Sequence, residues 1–201
     1  MPPVDAPLIT PPGNAQPRMI VVDPLAVVSL IPLASPDFVP HRLLMFEAVL
    51  ATQAKRVLET GTDVGDSARI FATALRRTGG VLFTVDRKTD LNLSWVQDYS
   101  NVMPIQGDSL KVTWNQTLDV LFLDSDHTKE HLLGELRKLG PWVRQGGLIL
   151  VHDTVHSEFG PALTDAVRVW CREVGFRWSE DPLPHGMAII EVIRDLTPLR
   201  A

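Results

Sequence analysis

From residue 36 onward, apolar positions fall into short bursts separated by amphipathic stretches, and the two patterns alternate along the chain. Residues 43–54 space their apolar positions as a helix does, and 56–59 form a short strand-like run that ends near Gly61. Residues 67–77 are again helical, 81–85 read as a β-rich run stopped by Asp86, 91–99 as a helix and 102–105 as a short strand. An apolar strand at 119–123 ends in acids. Residues 128–145 then place Leu132, Leu136, Leu139 and Val143 on one helix face. Gly146-Gly147 breaks that helix before a buried-type strand at 148–151. The last helix spans 162–174, and strands at 176–178 and 187–192 close the chain around Pro182 and Pro184. Strands that alternate with helices need crossover connections, so the pattern predicts a doubly wound α/β sheet of seven strands, mostly parallel. The last two strands are joined by a short turn-rich segment, which predicts an antiparallel C-terminal hairpin with one antiparallel edge strand.

The first 35 residues follow a different pattern. Ten of the sixteen prolines lie in the first forty residues, and residues 1–18 hold six of them, which predicts an arm without regular structure. Residues 19–33 are the most apolar stretch, yet Asp23, Pro24 and Pro32 interrupt it and it is too short to cross a bilayer. It also has no basic start ahead of the apolar run, unlike a secretory signal. The expected organisation is an arm over 1–35, packed on the domain or on a partner subunit, followed by one domain over 36–201. A homodimer formed through the apolar segment is the corresponding partner expectation.

Composition narrows the function classes. With 45% hydrophobic and 21% charged residues in 201, the chain has the makeup of a single globular domain. Nineteen basic against 24 acidic residues give a net charge of -5, so no general positive field collects phosphate backbones, and neither nucleic acid nor membrane is expected as a partner. Cys171 is the only cysteine, which excludes an intramolecular disulfide and a thiolate zinc site and fits a cytoplasmic location.

Open parallel sheets bind ligands beyond the carboxyl ends of their strands, and five of those ends are chemically unusual here. In Glu59-Thr60-Gly61-Thr62-Asp63-Val64-Gly65-Asp66-Ser67, two glycines allow positive φ and close backbone approach, and free N–H groups at the helix start favour an anionic group; an ordinary βα turn is the plainer alternative. Asp86, at the next strand end, suits a ribose diol because a carboxylate accepts from both hydroxyls. In Gly107-Asp108-Ser109, Asp108 suits an exocyclic amine, or else forms a local Asx turn. Together these describe a pocket for a nucleoside with a small charged tail. The remaining ends carry Asp124-Ser125-Asp126-His127 and His152-Asp153-Thr154. Carboxylates gathered at adjacent strand ends repel unless a cation bridges them, which points to a divalent metal: Mg²⁺ from the oxygen donors, a transition ion if His152 ligates. His127 is the natural general base, its ordinary pKa being near neutral. Capping of the following helix by Ser125 or Asp126 is the structural alternative for that segment. His131 and His156 read as surface or loop residues, and His185, in the turn between the last strands, as turn polarity or else as a residue lining the substrate mouth. Trp114 could stack on adenine, and Cys171 packs in the core.

The ordered set Val57 through Ser67, Val85-Asp86, Gly107-Asp108-Ser109, Leu121 through His127 and Gly146 through Thr154 resembles the class I S-adenosylmethionine-dependent methyltransferases, across about residues 38–194. More narrowly it is similar to the metal-dependent small-molecule O-methyltransferases, the group of the caffeoyl-CoA and catechol enzymes and their macrolide- and cephalosporin-tailoring relatives. The resemblance implies a Rossmann-like fold. It implies that Glu59, Gly61, Gly65 and Ser67 hold the methionine end of S-adenosyl-L-methionine, Asp86 the ribose, and Asp108 with Ser109 the adenine side, with Thr62, Gly107 and Asp124 in the same cofactor-binding set. It further implies that Asp124, His152 and Asp153 bind the divalent metal, Mg²⁺ in that family, while His127 deprotonates the substrate hydroxyl. His152 is a departure, since the family usually has Asp or Glu there, and Asp126 is the other carboxylate that could supply an oxygen.

The expected activity is therefore methyl transfer from the sulfonium to a hydroxyl of a small molecule. A metal-free methyltransferase, a nicotinamide-dependent oxidoreductase and a non-catalytic cofactor-binding module are the alternatives. The glycine spacing Gly-x-x-x-Gly, unlike Gly-x-Gly-x-x-Gly, disfavours the oxidoreductase.

Overall fold

The computed structural model describes residues 23–196 and residue 199. Seven strands form one sheet in the order β3-β2-β1-β4-β5-β7-β6. They are β1 Arg56–Thr60, β2 Val81–Asp86, β3 Val102–Gln106, β4 Leu118–Leu123, β5 Val143–His152, β6 Trp178–Asp181 and β7 Met187–Glu191. The first five run parallel, and β7 pairs antiparallel with both β5 and β6. The hairpin is as expected, but the antiparallel strand is β7, inside the sheet, and β6 forms the edge.

The central strands read as continuous apolar runs because both of their faces are covered. In β4, Leu121 and Leu123 join one core while Val120 and Phe122 join the other. The first core is closed by α4 (Lys129–Leu139) and α5 (Gly160–Val174), through residues such as Leu132, Leu136, Val167 and Trp170. The second is closed by α2 (Arg42–Ala51) and α3 (Asp66–Thr78), through Met45, Phe46, Phe71 and Leu75. A short α1 (Pro24–Ser29), capped by the Asp23 carboxylate, sends Val28 into this second core together with Ile31. The last part of the apolar arm thus packs on its own domain. The proline-rich run and residues 19–22 lie outside the described residues. Among the described residues, no helix is long and apolar enough to cross a membrane.

Three sequence expectations require correction. The helix expected over 91–99 is only a 3-10 turn, Ser94–Asp98, because the Asn92 side chain accepts from the Ser94 N–H and holds the chain in a turn ahead of it. The helix expected over 128–145 stops at Leu139. Pro141 lacks the N–H the helix needs, the chain passes through a 3-10 turn at Gly140–Trp142, and Val143 opens β5. Gly146 therefore ends no helix. It lies within β5 at φ +77°, where the pairing with β4 shifts register. The strand expected over 176–178 begins at Trp178.

Candidate active site

Beyond the carboxyl ends of β1 to β5 lies one cavity of about 430 Å³. Its walls contain nearly the whole sequence-derived set: Gly61, Thr62, Ser67, Asp86, Gly107, Asp108, Ser109, Asp124, His127, His152 and Asp153. Glu59 and Gly65 are not on the wall.

The packing of the protein itself also requires glycine in the loop after β1. A Cβ at Gly61, whose φ is +89°, would lie 2.0 Å from the Asp124 carbonyl oxygen. One at Gly65, φ +82°, would lie 2.3 Å from the Trp95 ring. Both glycines make room for protein neighbours, and so bring the loop after β1 hard against the end of β4 and under Trp95. Glu59 sits behind this loop, fully buried. Its Oε2 accepts from Thr84 Oγ1 at 2.6 Å, while Oε1 has no partner. Burial raises its pKa to about 8 against the pull of the Ser67 and Thr84 hydroxyls, with Asp124 and Asp86 pushing it further up. A neutral carboxyl at the end of β1 follows.

Asp86 is positioned by both of its oxygens. Oδ2 accepts the Asp63 N–H at 3.0 Å and Oδ1 the Lys88 N–H at 2.8 Å. Each oxygen keeps capacity for another donor, as holding two hydroxyls requires. Asp108 forms the Asx turn considered above, Oδ1 accepting from the Leu110 N–H at 3.0 Å, and pairs with Lys111 at 3.0 Å; both contacts lower its pKa. Ser109 Oγ lies 3.0 Å from His131 Nε2, and Ser125 Oγ donates to the buried Glu135 at 2.7 Å. Glu135 raises the pKa of His131, its carboxylate being 3.5 Å from the same Nε2. His131 is thus a wall residue backed by a buried carboxylate, not a surface histidine. Trp114 is off the wall, buried against Phe83 with its N–H given to the Gln116 carbonyl.

At the other end, single ligand atoms of Asp124, His152 and Asp153 lie within 4.8 Å of one another. His127 Nε2 is 3.4 Å from Asp124 Oδ1 and 3.0 Å from Asp153 Oδ2. These two carboxylates raise the His127 pKa to about 10 despite its partial burial. Burial opposes charge on His152, but Asp124 and Asp153 outweigh it and its pKa also rises. Asp126 turns away: Oδ1 accepts the Thr128 N–H at 3.1 Å and Oδ2 pairs with Arg87 at 3.3 Å, so it supplies no oxygen to this group. The cap of α4 is Thr128, not Ser125 or Asp126.

Three further residue groups stand on the wall, two of them histidines whose plainer expectation was loop or turn polarity. Ser35, Asp37 and Phe38 come from the junction of the arm with the domain, and Asp66 straps the end of the arm down by accepting the Ala34 and Ser35 N–H groups at 2.7–3.0 Å. His156 and His127 both stack on Phe159, with centroids 4.0 and 4.5 Å away. His185, at φ +74°, has Nδ1 3.0 Å from Asp153 Oδ1. Ser35, Asp37 and Phe38 precede α2 and follow no strand, while His156, Phe159 and His185 lie in the loops after β5 and β6, beyond the residues at the strand ends themselves.

Residues 58–154, just under half of the chain, match the family model described as "Methyltransferase domain", in keeping with the Rossmann-like sheet and its strand-end cavity. The rhamnosyl O-methyltransferase of Mycobacterium bovis is 27% identical over 143 residues, a match covering 62% of this chain and 58% of that protein. The chain therefore spans under two thirds of that curated relative. The SAH-bound methyltransferase PaMTH1 of Podospora anserina superposes with a TM-score of 0.65 at 17% identity, over 76% of this chain and 77% of that one. MycE from the mycinamycin biosynthetic pathway, solved with Mg, SAH and mycinamycin VI, gives 0.58 at 21% identity, over 78% of this chain and 50% of that one.

Proposed function

We propose that the chain is an S-adenosyl-L-methionine-dependent O-methyltransferase that methylates a hydroxyl of a small molecule with the help of a divalent cation and His127. The observation that carries this reading is the joining, in one cavity, of a ribose-type carboxylate, Asp86, with the group of Asp124, His152 and Asp153 beside His127. The rhamnosyl O-methyltransferase relative points to the same chemistry, with a sugar hydroxyl among the acceptors to try.

The residues fit both the cofactor and a cation. Asp86 has spare acceptor capacity for two ribose hydroxyls, and Ser109 and His131 line the wall toward the base. The buried ring nitrogens of His152 have no partner of their own beside two carboxylates, as a cation site requires. The cofactor supplies an already activated methyl group, so the protein must align an oxygen with the carbon–sulfur bond and remove its proton. A cation held by Asp124, His152 and Asp153 would lower the pKa of the acceptor hydroxyl and offset the two carboxylates that hold a proton on His127. With that charge offset, His127 Nε2 would be the group able to accept the hydroxyl proton. Phe38 and His156 line this end of the cavity with flat rings suited to a ring-shaped acceptor.

A metal-free variant has one observation in its favour, the direct approach of His127 to both carboxylates. Titration calorimetry of S-adenosylhomocysteine with and without Mg²⁺ or Mn²⁺ tests the reading. Micromolar binding strengthened by the cation is expected. Absence of binding in every condition would refute the cofactor assignment, and binding and turnover indifferent to chelator would leave the metal-free variant.

A further inference from the structure

We infer that the cation site is built for a borderline first-row transition ion and selects against Mg²⁺, with His152 Nδ1 as the ligand that makes the choice. This deepens the reading above and rests on its cation. His152 is the last residue of β5 and Asp153 the next one. Neighbouring residues of a strand point to opposite faces, but Asp153 adopts φ +61°, and that left-handed turn brings its Oδ1 to 3.5 Å from His152 Nδ1. Asp124 Oδ1 is 3.6 Å from the same nitrogen. Donors at about 2.1 Å from one tetrahedral ion stand roughly 3.4 Å apart, so these separations suit a single shared ion.

The ring is committed to this task. His152 is only 3% exposed, and neither of its nitrogens has a hydrogen-bond partner. Phe38 stacks on it at 4.6 Å and His41 meets it edge to face at 5.4 Å. His41 also has neither nitrogen bonded, and burial lowers its pKa to about 4, so it is a neutral wall and offers no competing charge. A buried imidazole left without partners is costly unless something binds it. His185 adds a hold on Asp153 Oδ1 at 3.0 Å, the type of outer contact that fixes a ligating carboxylate. Mg²⁺ prefers an oxygen shell and dehydrates reluctantly, whereas imidazole suits Zn²⁺, Co²⁺ and Fe²⁺.

The test uses the full chain, stripped of metal and labelled with ¹⁵N-histidine. On addition of Zn²⁺, the Nδ1 resonance of His152 should leave the free-imidazole region, and Mg²⁺ should leave it in place. Assignment comes from His152→Gln or, should that variant not fold, from the ring's proton contacts with Phe38. In calorimetry Co²⁺ should bind at least about 100-fold more tightly than Mg²⁺, and His152→Asp should cut that ratio about tenfold or more. A His152 resonance unmoved by Zn²⁺, or a ratio unchanged in His152→Asp, overturns the inference. S-adenosylhomocysteine titrated into the same sample separates the two readings. Cofactor binding with an unmoved His152 defeats this one alone, and a moved His152 without cofactor binding defeats the methyltransferase reading alone.

Discussion

His127 Nε2 stands 3.0 Å from Asp153 Oδ2, an imidazole from the β4–α4 loop meeting a carboxylate from the end of β5. The contact joins the proposed base to a proposed metal ligand, so the proton affinity of one depends on the charge of the other. His127→Ala should lower turnover by about 10²–10⁴-fold, the usual contribution of a positioned acid–base group. The affinity for S-adenosylhomocysteine should stay within about twofold, since the ribose and adenine walls are untouched. Calorimetry and steady-state rates on one preparation check this, and a large loss of cofactor binding would remove His127 from the role of base.

Asp153→Ala bears on the cation. Removing this carboxylate takes one of three donors and frees His185, so activity should fall steeply and its remainder should no longer respond to chelator or added cation. Rates measured with and without a chelator decide the matter. A variant as chelator-sensitive as the parent would show that the cation sits elsewhere.

Asp86→Ala should weaken S-adenosylhomocysteine binding by about tenfold or more for each ribose hydroxyl bond lost, since bonds to a charged acceptor contribute about 1.5–3 kcal/mol. It also frees the Asp63 and Lys88 N–H groups, so the loop after β1 loses a tether. Asp86→Asn keeps an acceptor for one of them and should fall between the parent and alanine. Equal affinities in all three proteins would mean that the ribose lies elsewhere.

The sheet and most of the strand-end chemistry were legible because they rest on local signals. Strands buried on both faces appear as apolar runs, and acids or glycines at their ends mark the ligand side. What could not be read depends on contacts distant in sequence. Nothing in the spacing of His185 reveals that it reaches Asp153 across 32 positions, or that Asp66 holds Ala34 and Ser35. The packing demand on the glycines is hidden for the same reason. Positive φ was legible at Gly61, but its crowding neighbour, the Asp124 carbonyl, comes from another strand end. Pro141 is a local signal that ends α4 even though the apolar period continues through Val143.

Gly61 gives a prediction about stability. A methyl group there would lie 2.0 Å from backbone that β4 holds in place, on a residue whose φ of +89° side chains rarely adopt. Gly61→Ala should cost about 2 kcal/mol or more in chemical denaturation, and the loop should shift enough to weaken cofactor binding as well. A stability within about 0.5 kcal/mol of the parent would show that the loop and the end of β4 are not packed as described.

Glu59 supplies the pH dependence. Its pKa in the folded protein is about 8 against an ordinary 4.5, because burial opposes the charged form. A raised folded pKa means that the native state binds more protons than the unfolded chain between those values, and stability falls as pH rises there. Below about pH 4.5 both states carry the proton and there is no penalty from this group. Above about pH 8 both have lost it, and the full cost of a buried carboxylate is present. Glu59→Gln keeps an acceptor for Thr84 Oγ1 and cannot ionise, so its melting temperature should exceed the parent's at pH 8 by more than at pH 5. Melting curves of the cofactor-free proteins across that range measure the difference. A constant offset between the two proteins would mean that Glu59 is ionised throughout, and that a cation or an ordered water partners its unpaired Oε1.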